Sequence, residues 1–239
     1  MCFYLIFVSC EKQESRSCWK NRGEEVSKLV SIDAFHKMRL GRGIKFVLIQ
    51  DSLNFVKIQT GRNLIDFINV EIRDHELSIE NLNRCDFLRY GRNEVVAEIH
   101  FESVRNIYFE GSEPLTSQDT IRLDYLGLIV NESSSEINLM LSVDSMKIIN
   151  PYAWPRIFLS GNCIDLGCEI DGDMQMNLHE FKVSNEFKLA TSSSQFSQIC
   201  LNGTHKFIGQ ISGTGDVGYV GMATQMITQQ LSSGNFIPM

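Results

Sequence analysis

The chain has 239 residues, 43% hydrophobic and 21% charged, with 17 Gly and only 4 Pro; this suffices for one sizeable globular domain and is too apolar for a disordered tail. With 29 acidic against 22 basic residues the formal charge is −7, and the Lys and Arg are scattered rather than striped, which excludes a nucleic-acid binder. Beyond the first nine positions no apolar stretch approaches the roughly 20 residues that a spanning helix needs, so the body reads as soluble.

The opening stretch, residues 1–10 (MCFYLIFVSC), is apolar and ends in a small residue and a cysteine, followed at once by the polar run Glu11 to Arg16. That is the pattern of a secretory h-region with a cleavage point. Phe7-Val8-Ser9-Cys10 resembles a bacterial lipobox, in which cleavage before the cysteine frees its sulfur for diacylglyceryl attachment. Residues 1–22 are accordingly expected to be signal and spacer, with Cys10 as the lipid attachment site of an exported outer-membrane lipoprotein, periplasmic or at the cell surface. The alternative is a buried N-terminal strand, against which the charged spacer Glu11 to Glu25 argues. With Cys2 removed and Cys10 acylated, Cys18, Cys85, Cys163, Cys168 and Cys200 remain, an odd set with no regular pairing. A disulfide framework is therefore unsupported, and Cys163-x4-Cys168 reads as small buried apolar side chains rather than zinc ligands.

From Ile44 onward short runs of alternating apolar and polar residues are closed by Gly, Asn, Asp or Ser, and helical periodicity is nearly absent, which predicts an all-β protein. Ile44–Ile49 and Phe55–Ile58 flank a turn-like segment, Gln50 to Asn54, and predict a hairpin. Asn69–Ile72 and Glu76–Ile79 do the same around Arg73-Asp74-His75, with Leu64 to Ile68 as a helical turn between the pairs. The N-terminal third is thus expected to be paired strands.

Past Val95 punctuation recurs about every ten residues while strands stay short, at Gly111, Asn131-Glu132, Asp144, Gly161, Gly172, Ser193, Asn202-Gly203 and Ser212-Gly213. A chain that bends so often, with few residues for long crossings, satisfies its backbone by laying each strand on the one a turn earlier. This describes a parallel β-solenoid of roughly twenty residues per turn. A hairpin-built sandwich punctuates at similar intervals, and periodicity alone does not separate the two.

Ser31 to Met38, Ile44 to Gln50, Val70-Glu71-Ile72 with Leu77-Ser78-Ile79, Val104 to Gly111, and Ile211-Ser212-Gly213-Thr214-Gly215-Asp216-Val217 together resemble the ordered landmarks of the auto-transporter adhesin head GIN domain family. The resemblance runs from about Ser31 to the C-terminus and marks residues 23–239 as a single GIN-type domain. It implies a right-handed parallel β-helix on envelope proteins and lipoproteins of Bacteroidetes-type bacteria, without established chemistry. The chain departs from the family pattern at Asn131 to Ser135, at Val143-Asp144-Ser145 and at Pro151-Tyr152-Ala153-Trp154-Pro155.

Catalytic and cofactor motifs are sparse. Asp165, Glu169, Asp171 and Asp173 form the best acid group for glycoside hydrolysis, although acids beside Gly172 also suit a corner. His36, His75, His100, His179 and His205 lack metal-ligand spacing, no Gly-x-Ser-x-Gly elbow is present, and Gly213 to Gly218 leads into a strand rather than a helix. Neither a metal nor another cofactor is implied, and the sequons at Asn131 and Asn202 read as turn chemistry. Tyr152, Trp154 and Phe158 are a candidate aromatic platform for sugar rings, or else packing of an outward loop. The expected function is a non-catalytic envelope protein, an adhesin or binding protein offering a solenoid surface to a glycan or protein. The alternative is a polysaccharide-degrading β-helix enzyme using Asp165 to Asp173.

Overall fold

The structure, a computed structural model, describes residues 21–83 and 94–239. The signal segment with Cys10, and Cys18 and Cys85, lie outside the described residues.

The regular part begins with β8 (Asn106–Phe109) and β9 (Leu115–Ser117), followed by three long strands: β10 (Ile121–Val130), β11 (Glu136–Asn150) and β12 (Arg156–Ile170). Next come β13 (Gln175–Thr191), β14 (Ser197–Cys200), β15 (Lys206–Ile211), β16 (Val217–Val220), β17 (Gln225–Gln230) and β18 (Phe236–Pro238). Every pairing among them is parallel, and each residue lies beside a partner 19 to 22 positions further along: Ile137 beside Ile157, Glu186 beside Lys206, Val217 beside Phe236. That is the parallel β-solenoid, with the predicted turn length.

The interior is built by alternation. In β11 the side chains of Ile137, Leu139, Leu141 and Val143 point inward; the phase then slips by one residue at Asp144-Ser145, and Met146, Ile148 and Asn150 continue it. A slip of this kind turns the same face of a bending strand back to the core, since a one-residue change of phase exchanges inside for outside. Parallel register then stacks like on like, as in the column Leu126, Met146, Leu166, Phe187, Phe207. The Phe207 ring meets those of Phe187 and Phe236 edge-on at 5.4 and 5.7 Å. The punctuation at Asp144 and Gly161 therefore marks bends inside continuous strands rather than loops, with Gly161 at φ 109°. At other corners small polar side chains form rungs of their own: Ser133 Oγ donates to the Gly111 carbonyl at 2.7 Å and Ser193 Oγ to that of Met174 at 3.1 Å.

The N-terminal third departs from the expected hairpins. β3 (Lys45–Gln50) and β4 (Phe55–Gly61) do not pair; β7 (Val96–Phe101) lies between them, parallel to β3 and antiparallel to β4. The segment from Gln50 to Asn54 is a turn, but the next strand steps one place further out and leaves a slot that later chain fills. β2 (Lys37–Leu40) and β3 are full solenoid members, sandwiched between β6 (Glu76–Asn81) with β7 on one side and β8 with β9 on the other. Among the described residues antiparallel pairing is confined to the end of the stack, where β4 pairs with β7, β1 (Glu25–Ser31) covers β4 and β5 (Ile68–Arg73) covers β6. The β5–β6 hairpin forms as predicted around a two-residue turn: Asp74 and His75 at φ 48° and 59° match the twist that favours such turns. The expected helical turn is present as a 3-10 turn, Ile65–Phe67.

Arg39 in β2 ties these out-of-order rungs together from outside, donating to Glu76 at 2.8 Å and to Glu110 at 3.1 Å with its guanidinium over the Tyr108 ring. At the opposite end all of β17 is exposed, and no charged residue stands between Asp216 and Met239.

Candidate functional site

The acid group is brought to one stretch of chain but not to one point. Asp165 and Glu169 both face outward from the straight second half of β12, four residues apart. At about 3.3 Å per residue their Cα atoms stand roughly 13 Å apart, and because side chains on one face of a strand stand roughly parallel, their carboxyls are not brought to the approximately 5 to 9.5 Å of paired carboxyls in glycosidases. Each is also engaged locally. Asp165 Oδ1 accepts from Asn185 Nδ2 at 2.7 Å and from the Glu186 amide at 3.2 Å; Glu169 pairs with Lys147 at 2.9 Å. Asp173 accepts from the Ser194 amide at 2.6 Å, the corner role suggested for the residues flanking Gly172. Among the described residues no group of three or more His, Cys, Asp or Glu is placed to hold a metal ion.

The aromatic trio is also divided. Tyr152 and Trp154 stand on the loop between β11 and β12, 77% and 66% exposed. That loop is held from beneath by Asn150, fully buried, whose Oδ1 accepts from the Ala153 amide at 2.8 Å while its Nδ2 donates to the Ala153 carbonyl at 3.1 Å. Phe158 instead lies on the strand, where alternation turns it outward between inward Ile157 and Leu159.

Around Phe158 lies a groove of about 650 Å³ on the flank formed by the first halves of β11, β12 and β13 together with β14. Register dictates its floor. Asn138, Phe158, Asn177 and Gln198 are direct neighbours on four successive rungs, all at outward positions. His179 and Glu180 join them because β13 carries an extra residue here: Phe158 faces Asn177 but Ser160 faces Glu180. Such a bulge re-aims side chains, and in this case puts two consecutive exposed residues beside the groove. Asn177 Oδ1 accepts from the His179 amide at 3.1 Å and fixes the bulge. Met239 forms the far rim, its amide bonded to the Tyr219 carbonyl at 2.9 Å. Gly218 makes that approach possible, since a Cβ there would stand 2.7 Å from Met239 Sδ and 2.8 Å from the Phe196 ring.

Of the groove residues, only Phe158 belongs to a candidate site in the sequence. The signal for the others was present in the turn length: Asn138, Phe158, Asn177 and Gln198 follow one another at close to twenty-residue intervals. The remaining candidates are structural. Cys163 and Cys168 are free and buried, as expected of small apolar side chains, and Cys200 is free and buried as well. Burial pushes the Cys163 thiol up to about 12 and raises that of Cys168 as well. His100 stacks on Phe55 with ring centroids 3.9 Å apart, and its Nδ1 lies 3.0 Å from Asp51.

A family model for "Putative auto-transporter adhesin, head GIN domain" matches residues 34–223. Among solved structures, the chain is similar to a putative adhesin from Bacteroides fragilis, with TM-score 0.75 and 12% identity over 90% of this chain and 97% of that one. It is similar to a putative adhesin from Parabacteroides distasonis at TM-score 0.62 and 14% identity, over 91% and 98% of the two chains. A third, named a putative lipid binding protein from the same species, has TM-score 0.54 and 11% identity over 90% and 97%. At these identities the likeness shows a shared fold. No curated protein sequence matches the chain.

Proposed function

Because the chain belongs to the head GIN domain family described as auto-transporter adhesins, we propose that it is a non-catalytic binding protein of the cell envelope, presenting one flank of its solenoid to a glycan or protein. A solenoid offers long regular surfaces on which side chains from successive turns act together. The observation that carries the reading is the row of Asn138, Phe158, Asn177 and Gln198, which assembles a contact surface from four rungs without a nucleophile or a pair of converging acids. The separation and local engagement of Asp165 and Glu169 count against the hydrolytic alternative. A thioether-linked lipid on Cys10 would hold the protein at the membrane and leave the solenoid in water.

Two measurements test this. Cells making the protein adhere to an immobilised glycan or envelope-protein surface, while cells lacking the gene lose that adhesion and no polysaccharide in a plant and host panel is degraded by the purified protein. Turnover that is abolished in Asp165→Asn would replace binding with catalysis. For the anchor, labelled palmitate is incorporated into the wild type and not into Cys10→Ala, and an unmodified Cys10 in mature protein removes the lipid from the proposal.

A further inference from the structure

We propose that the groove around Phe158 is a contact site for an uncharged, hydroxyl-rich oligosaccharide lying along the solenoid axis. This deepens the binding-protein reading above and rests on it. Three properties of the groove narrow the ligand class. No Lys or Arg is among its lining residues, and Glu180 adds a carboxylate, so an anionic chain meets no countercharge. Asn138, Asn177 and Gln198 each carry an amide that both donates and accepts, the complement of a hydroxyl, which also does both. Phe158 sits between the amides of Asn138 and Asn177 and supplies apolar contact with little entropy cost, as suits a sugar ring's C–H face.

A peptide is excluded as a β-addition because β11, β12, β13 and β14 are interior strands whose backbone groups already serve neighbours on both sides. A lipid chain finds too many polar partners along the floor. Four rungs separated by three spacings of about 4.8 Å make a row roughly 14 Å long, which fits an oligosaccharide of several rings better than one sugar. The bulge at Leu178-His179 brings His179 and Glu180 to the edge of this row, where they add directional contacts to whatever ring Phe158 holds.

The test is calorimetric titration of the mature protein with neutral hexamers of glucose, xylose and mannose and with a galacturonate hexamer. At least one neutral hexamer binds. Phe158→Ala weakens that binding about tenfold or more while Phe158→Tyr stays within about threefold, since an aromatic face is what the ring uses. The double substitution Asn177→Ala with Gln198→Ala weakens it about tenfold, and Trp154→Ala, on the separate loop, leaves it unchanged. Unaltered affinity in Phe158→Ala, with the fold intact by thermal melting, overturns the assignment, as does preference for the galacturonate hexamer. If no neutral hexamer binds while the protein still captures a purified envelope protein, the sugar assignment falls and the binding-protein reading stands. Loss of both capture and cell adhesion sinks the two together.

Discussion

Gly213 stacks on Ser192, one turn of the solenoid earlier, so closely that a Cβ on Gly213 would overlap the Ser192 carbonyl oxygen and that of Ser193 beside it. The φ of Gly213 is not in the left-handed region, which Gly161, Gly203 and Gly221 do occupy. Its requirement is room, not dihedral freedom. Gly213→Val is therefore expected to destabilise by about 1–3 kcal/mol through overpacking against backbone that cannot move aside. In a chain of this size that lowers the melting temperature by several degrees. Gly167→Ala is the control: nothing lies within 4 Å of a Cβ there, and its melting temperature stays at the wild-type value.

The ring contacts of Phe207 with Phe187, its neighbour on the preceding turn, and with Phe236 give a second expectation. Phe207 is fully buried and touches both neighbours edge-on, so Phe207→Ala removes its own transfer energy and leaves a cavity between two rungs. The expected loss is about 3–5 kcal/mol in chemical denaturation, whereas Phe207→Leu retains most of the volume and costs markedly less. Equal losses for the two would mean that the Phe207 ring is not packed as described.

How far the chain's architecture is legible from sequence depends on the distance between partners. From β8 onward each strand pairs with the next turn, so the ten-residue spacing of corners predicts both the parallel stack and its turn length. In the N-terminal third that locality fails. Lys45 pairs with Val96 and Phe46 with Leu115, and nothing near Gln50 to Asn54 indicates that β7 will enter between β3 and β4. Local turn chemistry was sufficient only where partners are adjacent, at Asp74-His75. The same holds for the groove. Phe158 groups with Tyr152 and Trp154 by sequence proximity, but its neighbours in space are Asn138 and Asn177, a turn away on either side.

Acid stability follows from two carboxylates. The Asp51 carboxyl lies below its ordinary 3.8, chiefly because His100 hydrogen-bonds to it and the Ser52 amide donates to it as well. Glu186 lies below 4.5 because Lys188 and then Lys206 donate to it. A folded-state value beneath the unfolded one contributes stability that is complete above the unfolded value and is lost as pH falls through the folded one. The melting temperature should thus be flat from neutral pH to about 5 and decline below about 4, where these groups take up protons. His100→Gln and Lys206→Met should each make that decline shallower, by removing interactions that favour the ionised carboxylates. A decline that begins near pH 6, or one unaffected by either substitution, would point to other groups.

Thiol chemistry gives the last expectation. With the Cys163 thiol raised to about 12 by burial, its thiolate is a vanishing fraction near neutral pH, and Cys168 is raised in the same way. The thiolate is the reactive form, so neither residue should react with iodoacetamide in the folded protein at about pH 8, while both should be alkylated in concentrated guanidinium chloride. Peptide mapping by mass spectrometry separates these positions from the cysteines nearer the N-terminus. Because Cys163 Sγ also donates to the Asp165 carbonyl at 2.9 Å, Cys163→Ser tests a different property from Cys163→Ala. The serine keeps a donor to that carbonyl, whereas alanine leaves the acceptor with one partner fewer. The serine variant should therefore melt closer to wild type than the alanine variant, and fast alkylation of native Cys163 would contradict the inward orientation of that side chain.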